Sequence, residues 1–339
     1  MLRLLAAGRT IQAGCFIGHS PGRIFNRRPS SVVPHVKDIL RHSSKPRAFS
    51  HIMAFATTGG PVQFTPPSGA KWWSDATTAI VTGGNQGIGW EIARILSQQG
   101  IRTVLTSRDQ KRGAEAVQRI KDISGDANIQ SAQLELEKPK SVSAFAAWIK
   151  EKLPHVNILV NNAGMAYKGN TFGPEENRHT MNVNFFGTRA LCEAILPLME
   201  KGDRIVNVCS RAGLLSQLKS QALLDKFQAA STPDDITALA NWWLEAVDNG
   251  TQAKQGFSNS MYGMSKLCEI AYTRVLAQQL ASHGISVNAV CPGYVSTAMS
   301  SYKGTKHASE GADTPVWAAL LLPNDVTGKF FAEREETSA

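Results

Sequence analysis

The sequence predicts an α/β fold in which short buried strands alternate with amphipathic helices. The first observation is an apolar, β-branched run at residues 77–81, followed by a glycine-rich turn and a helical stretch at residues 91–99. The second is that further strand-like runs at residues 102–106, 129–136 and 156–160 are separated by stretches of helix length. This alternation is typical of a parallel sheet with helices packed on it.

Length and composition restrict the classes of protein to which the chain can belong. Its 339 residues suffice for one large domain with its own core, which we place at residues 71–339. The five cysteines are scattered without a C-x-x-C pair, which predicts neither a disulfide framework nor a zinc site. We expect no metal, because no His/Cys/Asp/Glu cluster has ligand spacing. No apolar run approaches the roughly 20 residues of a membrane span, so we expect no membrane partner.

The net charge of +9 is concentrated in the leader at residues 1–70. The leader contains nine Lys or Arg and one Asp, which leaves +1 for residues 71–339, so we expect no nucleic-acid partner. Its wealth of Arg, Ser, Gly and Pro is typical of an organelle transit peptide. The early arginines favour a mitochondrion, and the Ser/Pro-rich remainder also suits a chloroplast. The alternatives are a disordered tail without an address, or a cytoplasmic form that starts at Met53.

A glycine-rich turn joins the first strand to the first helix. Its sequence, TGGNQGIG at residues 82–89, has the spacing G-x-x-x-G-x-G. Glycines permit a tight turn and a close approach of the backbone to a ligand, and the N-terminus of the next helix faces bound phosphates. A strand, such a turn and a helix in that order predict a dinucleotide site. The residues expected at the cofactor are Gly83, Asn85, Gln86, Gly87, Ile88 and Gly89.

The second strand ends about twenty residues after this turn, where the ribose of a dinucleotide is bound. An acid at this position binds the 2′-hydroxyl of NAD, whereas an arginine favours the 2′-phosphate of NADP. Arg108 precedes Asp109, so we expect NADPH, with an ordinary surface arginine as the alternative. Glu135 and Leu136, at the end of the third strand, are also expected at the cofactor, with Glu135 near the adenine.

Two further segments carry side chains suited to chemistry. The fourth strand runs into NNAG at residues 161–164, which is either a strand end that opens onto a ligand or a structural turn. Tyr262 and Lys266 begin a helical pattern and lie four residues apart, on one helix face. A nearby ammonium stabilises a phenolate and lowers its pKa, so the pair can donate and accept a proton. The alternative is a chance spacing on a solvated helix face.

These segments, taken in chain order, resemble the short-chain dehydrogenase/reductase family over roughly residues 77–333. The resemblance rests on TGGNQGIG, NNAG, Ser210 after a strand, YGMSK at residues 262–266 and Cys291-Pro292-Gly293. It implies a single Rossmann-type, doubly wound domain with a seven-stranded parallel sheet in the order 3-2-1-4-5-6-7.

One branch of this family matches more narrowly. The sequence NFFGT at residues 184–188, the long segment before Tyr262 and the ending TGKFF at residues 327–331 resemble the NADPH-dependent carbonyl reductases. That branch includes plant enzymes similar to salutaridine and menthone reductases. Its helical insertion lies at about residues 213–258, between Ser210 and Tyr262. It has helical patterns at residues 217–229 and after the N-cap Thr232, with Pro233 at the first helical position. In the branch such an insertion covers a face that other members use to dimerise, which implies a monomer; the alternative is a surface excursion.

The resemblance also implies roles for individual residues. Tyr262 would protonate the substrate carbonyl as it receives hydride, and Lys266 would lower the pKa of Tyr262 and bind the nicotinamide ribose. Ser210 would polarise the carbonyl, and Asn184 would position a water that links Lys266 to solvent. The residues that would line the cofactor cleft beside these are Asn162, Ala163, Gly164, Pro292, Gly293, Val295 and Thr297.

We therefore expect an oxidoreductase that reduces a ketone or aldehyde of a small hydrophobic substrate with NADPH. Hydride addition builds negative charge on the carbonyl oxygen, and two hydroxyls aimed at that oxygen stabilise the transition state without a metal. The alternative is a non-catalytic NADP(H)-binding redox sensor or scaffold on the same fold. The presence of Tyr262, Lys266, Ser210 and Asn184 together favours the enzyme. After residue 297 we expect a mobile loop at residues 300–313, a helix at 315–322, a strand at 328–331 and a polar tail.

Fusion of residues 1–70 to a fluorescent protein is expected to direct the reporter to an organelle, because arginine-rich, acid-poor leaders are import signals. A matched fusion that begins at Met53 lacks the early arginines and should remain in the cytosol. Fluorescence microscopy of both fusions checks the prediction. A diffuse cytosolic signal from the complete leader would contradict it.

Overall fold

A computed structural model describes residues 71–125, 127–153, 155–322 and 326–338. The leader, and with it the expected transit peptide, lies outside the described residues. The described part of the chain forms one Rossmann-type α/β unit with helices on both faces of a mostly parallel sheet. The predicted fold class is confirmed.

The sheet has the strand order β3-β2-β1-β4-β5-β6-β7-β8. The strands are β1 (Thr78–Val81), β2 (Arg102–Ser107), β3 (Ile129–Gln133), β4 (Ile158–Asn161), β5 (Arg204–Val208), β6 (Ser286–Cys291), β7 (Phe330–Ala332) and β8 (Glu335–Glu336). The first seven are parallel and follow the predicted order.

The prediction of seven strands is wrong by one, because the C-terminal segment is not a plain polar tail. β8 pairs antiparallel with β7. The two residues between them, Glu333 and Arg334, have φ of 56° and 63°. Two successive left-handed residues form the turn that matches the twist of a two-stranded hairpin. This turn returns the chain along the sheet edge.

Helices cover both faces of the sheet. They are α1 (Gly87–Gln98), α2 (Gln110–Ser124), α3 (Pro139–Lys152), α4 (Pro174–Met181), α5 (Gly187–Ile195), α6 (Gln221–Ala229), α7 (Pro233–Asp248), α8 (Met261–Leu280) and α9 (Ala308–Ala319). One core cluster joins the sheet to α1, α2 and α9, and the other joins it to α3, α5 and α8. The strands between these layers are apolar because both of their faces are buried.

The start of α9 corrects the prediction for the segment after β6. A mobile loop was expected at residues 300–313 and a helix from residue 315, whereas the helix begins at Ala308. His307 and Glu310 form a reciprocal capping box that starts the helix earlier, and the His307 N–H donates to the Glu310 carboxylate at 2.7 Å. Pro315 therefore lies inside the helix.

Helix α8 carries the predicted Tyr–Lys pair and is buried on nearly all sides. The residues of α8 that are not buried are Tyr262, Arg274, Gln278 and Gln279, and the buried ones include the polar Ser265 and Lys266. The sheet lies on one side of α8, and α4 and α7 pack on others. Since Lys266 is only 3 % exposed, the alternative of a solvated helix face is excluded.

The insertion before α8 is held by a strong helix start. Thr232 accepts a hydrogen bond from the Asp235 N–H at 3.1 Å, and the Asp235 carboxylate accepts from the Thr232 N–H at 2.9 Å. Pro233 occupies the first helical position of α7, as predicted. Residues 217–219 precede α6 instead of belonging to it, because α6 begins after its own N-cap, Ser220.

Replacement of Thr232 by alanine is expected to lower the free energy of unfolding by about 1 kcal/mol, because it removes the N-cap acceptor of α7. Urea denaturation followed by circular dichroism measures the change. Ser220→Ala is the matched control. The Ser220 Oγ accepts from the Leu223 N–H at 3.4 Å, which is a longer and weaker hydrogen bond, so its removal should lower the free energy of unfolding by less. Equal midpoints for Thr232→Ala and the unchanged protein would contradict the prediction.

Candidate active site

A cleft of about 560 Å³ opens at the carboxyl ends of the parallel strands. Its volume lies in the range of roughly 300–1,000 Å³ that is typical of small-molecule sites. The strand order reverses between β1 and β4, which is where doubly wound sheets bind ligands. The predicted residues that line it are Gly83, Asn85, Gln86, Gly87, Ile88, Gly89, Arg108, Leu136, Asn162, Ala163, Gly164, Tyr262, Lys266, Pro292 and Thr297.

The glycine turn exposes backbone groups at the start of α1. Gln86 is the N-cap of this helix, and its side chain makes no capping hydrogen bond. The first N–H groups of a helix have no partner within the helix, so an uncapped N-terminus fits a phosphate. A Cβ on Gly89 would collide with the Asn162 side chain and lie 2.6 Å from the Gly83 carbonyl oxygen. Packing within the turn therefore requires glycine at position 89, and the uncapped helix start fits the phosphates of a dinucleotide.

Asn162 holds the end of β4 against this turn. Its side-chain amide donates to the Thr82 carbonyl at 2.9 Å. The Thr82 hydroxyl in turn accepts from the Asn162 and Ala163 N–H groups, each at 2.9 Å. The side chain of Asn162 therefore acts as a structural tie between two strand ends, and it lines the cleft at the same time.

The far end of the cleft is basic. Arg108 and Arg112 both line it, together with Asp109, which accepts a hydrogen bond from the Arg112 N–H at 3.0 Å as the N-cap of α2. Sequence analysis missed Arg112, although its position in the first turn of the helix after β2 was a usable signal. Two arginines at one end of a dinucleotide site fit a ribose 2′-phosphate.

The end of β3 contributes different residues from those expected. The Glu135 carboxylate pairs with Lys138 at 2.7 Å and does not line the cleft. Leu136 lines it as predicted, and Leu134 and Glu137 line it as well. Strand β3 ends at Gln133, so the chain has left the extended conformation before Glu135, and simple alternation no longer predicts which side chains face the cleft.

Tyr262 and Lys266 lie together at the other end of the cleft. The Lys266 Nζ is 5.8 Å from the centroid of the Tyr262 ring. The same Nζ donates to the Val208 carbonyl at 2.9 Å and lies 2.7 Å from the Glu269 Oε2. Burial raises the pKa of Tyr262 above its ordinary value, and Lys266 opposes that rise. The expected influence of Lys266 is therefore present, but here it does not bring the tyrosine pKa below its ordinary value.

Ser210 and Asn184 lie beside this pair but do not line the cleft. Ser210 follows β5 and accepts from the Ala212 N–H at 3.1 Å, and it has a small lowering effect on the pKa of Tyr262. Asn184 lies in a five-residue π-helical segment, Asn182–Phe186, between α4 and α5. Its amide donates to the Met165 carbonyl and to the Ser265 hydroxyl, each at 2.9 Å.

The segment after β6 crosses the front of the glycine turn. A Cβ on Gly87 would lie 3.3 Å from the Thr297 methyl group, so the two segments nearly touch. Gly293 and Val295 do not line the cleft; Val295 is buried and forms a β-bridge with Lys306. Ser296 and Met299 also line the cleft, together with Ala298 and Tyr302, which sequence analysis missed.

Neither a metal site nor a membrane segment is found among the residues described. They hold no group of three or more His, Cys, Asp or Glu side chains that could bind a metal ion. No helix in the same ranges combines the length and apolar character that crossing a membrane requires.

Comparison with known proteins places these features in one family. The family model described as short chain dehydrogenase matches residues 77–222 and 248–308. The chain is 38 % identical over 260 residues to carbonyl reductase [NADPH] 1 of Rattus norvegicus, covering 74 % of this chain and 93 % of the relative. It is 33 % identical over 304 residues to (+)-neomenthol dehydrogenase of Capsicum annuum, covering 76 % and 96 %.

Solved structures agree with these relatives. Salutaridine reductase from Papaver somniferum superimposes with a TM-score of 0.70 at 31 % identity, covering 76 % of this chain and 99 % of that one. The menthone neomenthol reductase from Mentha piperita gives a TM-score of 0.67 at 28 % identity, with the same two coverages. The resemblance seen in the sequence is confirmed: the chain belongs to the short-chain dehydrogenase family and is an oxidoreductase.

Proposed function

We propose that the protein is an NADPH-dependent carbonyl reductase that converts a ketone or aldehyde of a small hydrophobic substrate to an alcohol. The observation that carries the proposal is the position of Tyr262 and Lys266 at one end of the cleft whose other end is the glycine turn and the arginine pair. The relatives named as carbonyl reductase [NADPH] and neomenthol dehydrogenase support the same reaction class.

The chain offers a complete set of contacts for NADPH. The uncapped N-terminus of α1 accepts the pyrophosphate, and Arg108 with Arg112 binds the 2′-phosphate. Leu134 and Leu136 provide apolar surface toward the adenine. When bound, NADPH supplies the hydride for the reduction. The Lys266 ammonium lies at the end of the cleft where the nicotinamide ribose binds.

Tyr262 is the proton donor to the substrate oxygen. Carbonyl reduction builds negative charge on that oxygen, and a hydroxyl proton delivered there stabilises the transition state more than the ground state. Ser210, which lies beside Tyr262, donates to the same oxygen and orients the substrate. Lys266 stabilises the phenolate that remains after the proton has left. Asn184, hydrogen-bonded to Ser265 and Met165, supports a water path that returns the proton.

The substrate side of the cleft favours an apolar molecule. Met299 and Tyr302 line the cleft and are 42 % and 72 % exposed. Large apolar side chains left in solvent at the mouth of a cleft are typical of a ligand-binding surface. They belong to the segment after β6, which crosses the glycine turn.

The protein acts as a monomer. Helices α6 and α7 of the insertion lie on the side of α4 and α8, where their apolar residues join the core around Trp243. A face covered in this way is not available for a second copy. The basic leader directs the precursor to a mitochondrion or a chloroplast.

Tyr262→Phe is expected to lower kcat/KM for NADPH-dependent reduction by about 10²–10⁴-fold, the usual contribution of a general acid, while NADPH affinity stays nearly unchanged. NADPH oxidation is followed by absorbance against a panel of ketones, aldehydes and quinones, and binding by fluorescence titration. Tyr294→Phe, an equal change at a tyrosine outside the cleft lining, is the control. Tight NADPH binding without turnover of any carbonyl by the unchanged protein would instead favour a non-catalytic redox sensor or scaffold.

Arg108→Ala is expected to raise KM for NADPH by about tenfold or more, because a charge-assisted contact to the 2′-phosphate is lost. KM for NADH should change little, since NADH has a hydroxyl at that position. Arg102→Ala, at the opposite end of β2, is the matched control and should alter neither value. Equal increases for both cofactors would remove Arg108 from this role.

A further inference from the structure

A buried carboxylate lies behind the lysine of the active site. Glu269 is one helical turn after Lys266 on α8, and its side chain is 1 % exposed. Its Oε2 lies 2.7 Å from the Lys266 Nζ. In the described ranges, no other donor reaches either carboxylate oxygen. A buried carboxylate with a single partner is costly to the folded state, and the reaction proposed above does not use it.

Glu269 and Tyr262 both interact with the positive charge of Lys266. An ammonium has three N–H donors. One donates to the Val208 carbonyl at 2.9 Å, and another faces Glu269. The Nζ is 5.8 Å from the centroid of the Tyr262 ring, so the carboxylate is much closer to the ammonium than the phenol ring is. Glu269 therefore both fixes the position of the ammonium and offsets part of the charge that Tyr262 experiences.

The electrostatics of the three side chains agree with this geometry. Burial has the largest effect on the pKa of Tyr262 and raises it. Lys266 lowers the pKa of Tyr262, and Glu269 raises it. Burial lowers the pKa of Lys266, but the Glu269 carboxylate, together with Tyr262 and Cys209, raises it by more. Burial raises the pKa of Glu269 to about 7, with Lys266 acting in the opposite direction. The carboxylate therefore ionises near neutral pH.

Few other titratable groups face Glu269. They are thiols on three elements: Cys268 on α8, Cys209 after β5 and Cys192 on α5. Burial raises the pKa of each thiol, and the charge of Glu269 raises it further. These thiols stay neutral in the pH range in which Glu269 ionises. The ion pair with Lys266 is therefore the interaction through which Glu269 acts.

We propose that Glu269 is a positioning residue for carbonyl reduction: it holds Lys266 and offsets its charge, so that Tyr262 keeps its proton as the pH rises. This inference rests on the proposed function, because reduction needs the protonated tyrosine and alcohol oxidation needs the phenolate. Once Glu269 is ionised, above about pH 7, the lysine stabilises the phenolate less. Reduction then continues to a higher pH than it would with an unpaired lysine.

Glu269→Gln keeps the shape of the side chain and removes its charge. The pKa of Tyr262 should fall, because the ammonium of Lys266 is no longer offset. The alkaline limb of kcat/KM for reduction should move to lower pH, and the rising limb for alcohol oxidation should move in the same direction. Glu245→Gln, on the exposed side of α7, is the matched control and should move neither limb.

A second measurement uses neither cofactor nor substrate. Near-ultraviolet absorbance follows tyrosinate formation in the unchanged protein and in Glu269→Gln, each with and without Tyr262→Phe. The signal that Tyr262→Phe removes belongs to that residue among the five tyrosines. It should appear at lower pH in Glu269→Gln. Glu269→Asp keeps the charge but shortens the side chain, so it should shift the tyrosine titration in the same direction by less. If Glu269→Gln does not fold, Glu269→Asp tests the role of Glu269 in its place.

The outcomes separate this inference from the proposed function. Unmoved pH limbs and an unmoved tyrosine titration, in an active enzyme, would overturn the role of Glu269 and leave it a structural ion pair. A shifted titration in a protein without carbonyl turnover would support the coupling of Glu269 to Tyr262 and overturn the reductase. Shifts in both the pH limbs and the tyrosine titration would support the role of Glu269 and the carbonyl reductase together.

Discussion

The hydrogen bond from the Lys266 Nζ to the Val208 carbonyl ties helix α8 to the sheet. It connects a side chain in the first turns of α8 with the last residue of β5. Backbone packing supports the same junction: a Cβ on Gly213 would lie 2.6 Å from the Lys266 carbonyl carbon, so only glycine permits this approach. Ser210 belongs to the turn that this contact holds. The relative positions of Ser210, Tyr262 and Lys266 therefore depend on how closely β5 and α8 meet.

The two ends of the cleft offer a ligand different kinds of contact. At the glycine turn the backbone supplies the contacts, and Asn162 and Thr82 hold two strand ends together by hydrogen bonds. At the other end the contacts come from buried polar side chains on α8. A backbone surface is suited to phosphates, which need several N–H donors, whereas proton transfer needs titratable side chains in a controlled environment. A dinucleotide bound along the cleft would extend between these two ends.

The insertion contributes to the site indirectly, through the helices that it supports. The Trp243 indole N–H on α7 donates to the Asn177 side chain on α4 at 2.8 Å. Arg189 on α5 donates to the Pro233 carbonyl at 3.1 Å and pairs with Asp234 at 2.7 Å. These bonds join α7 to both helices that flank the π-helical segment of Asn184. The insertion thus covers part of the surface of α4, α5 and α8.

The sequence by itself determined the local features: the strands, the glycine turn, the cap at Thr232 and the one-turn spacing of Tyr262 and Lys266. Each depends on neighbours within a few residues, so spacing and residue type suffice. Only the tertiary structure decided the pairing of β8 with β7 and which side chains line the cleft, where Arg112 is present and Glu135 is absent. It also decided the burial of Glu269 beside Lys266. The spacing of Glu269 from Lys266 is visible in the sequence, but its effect comes from burial by distant segments, which local pattern does not record.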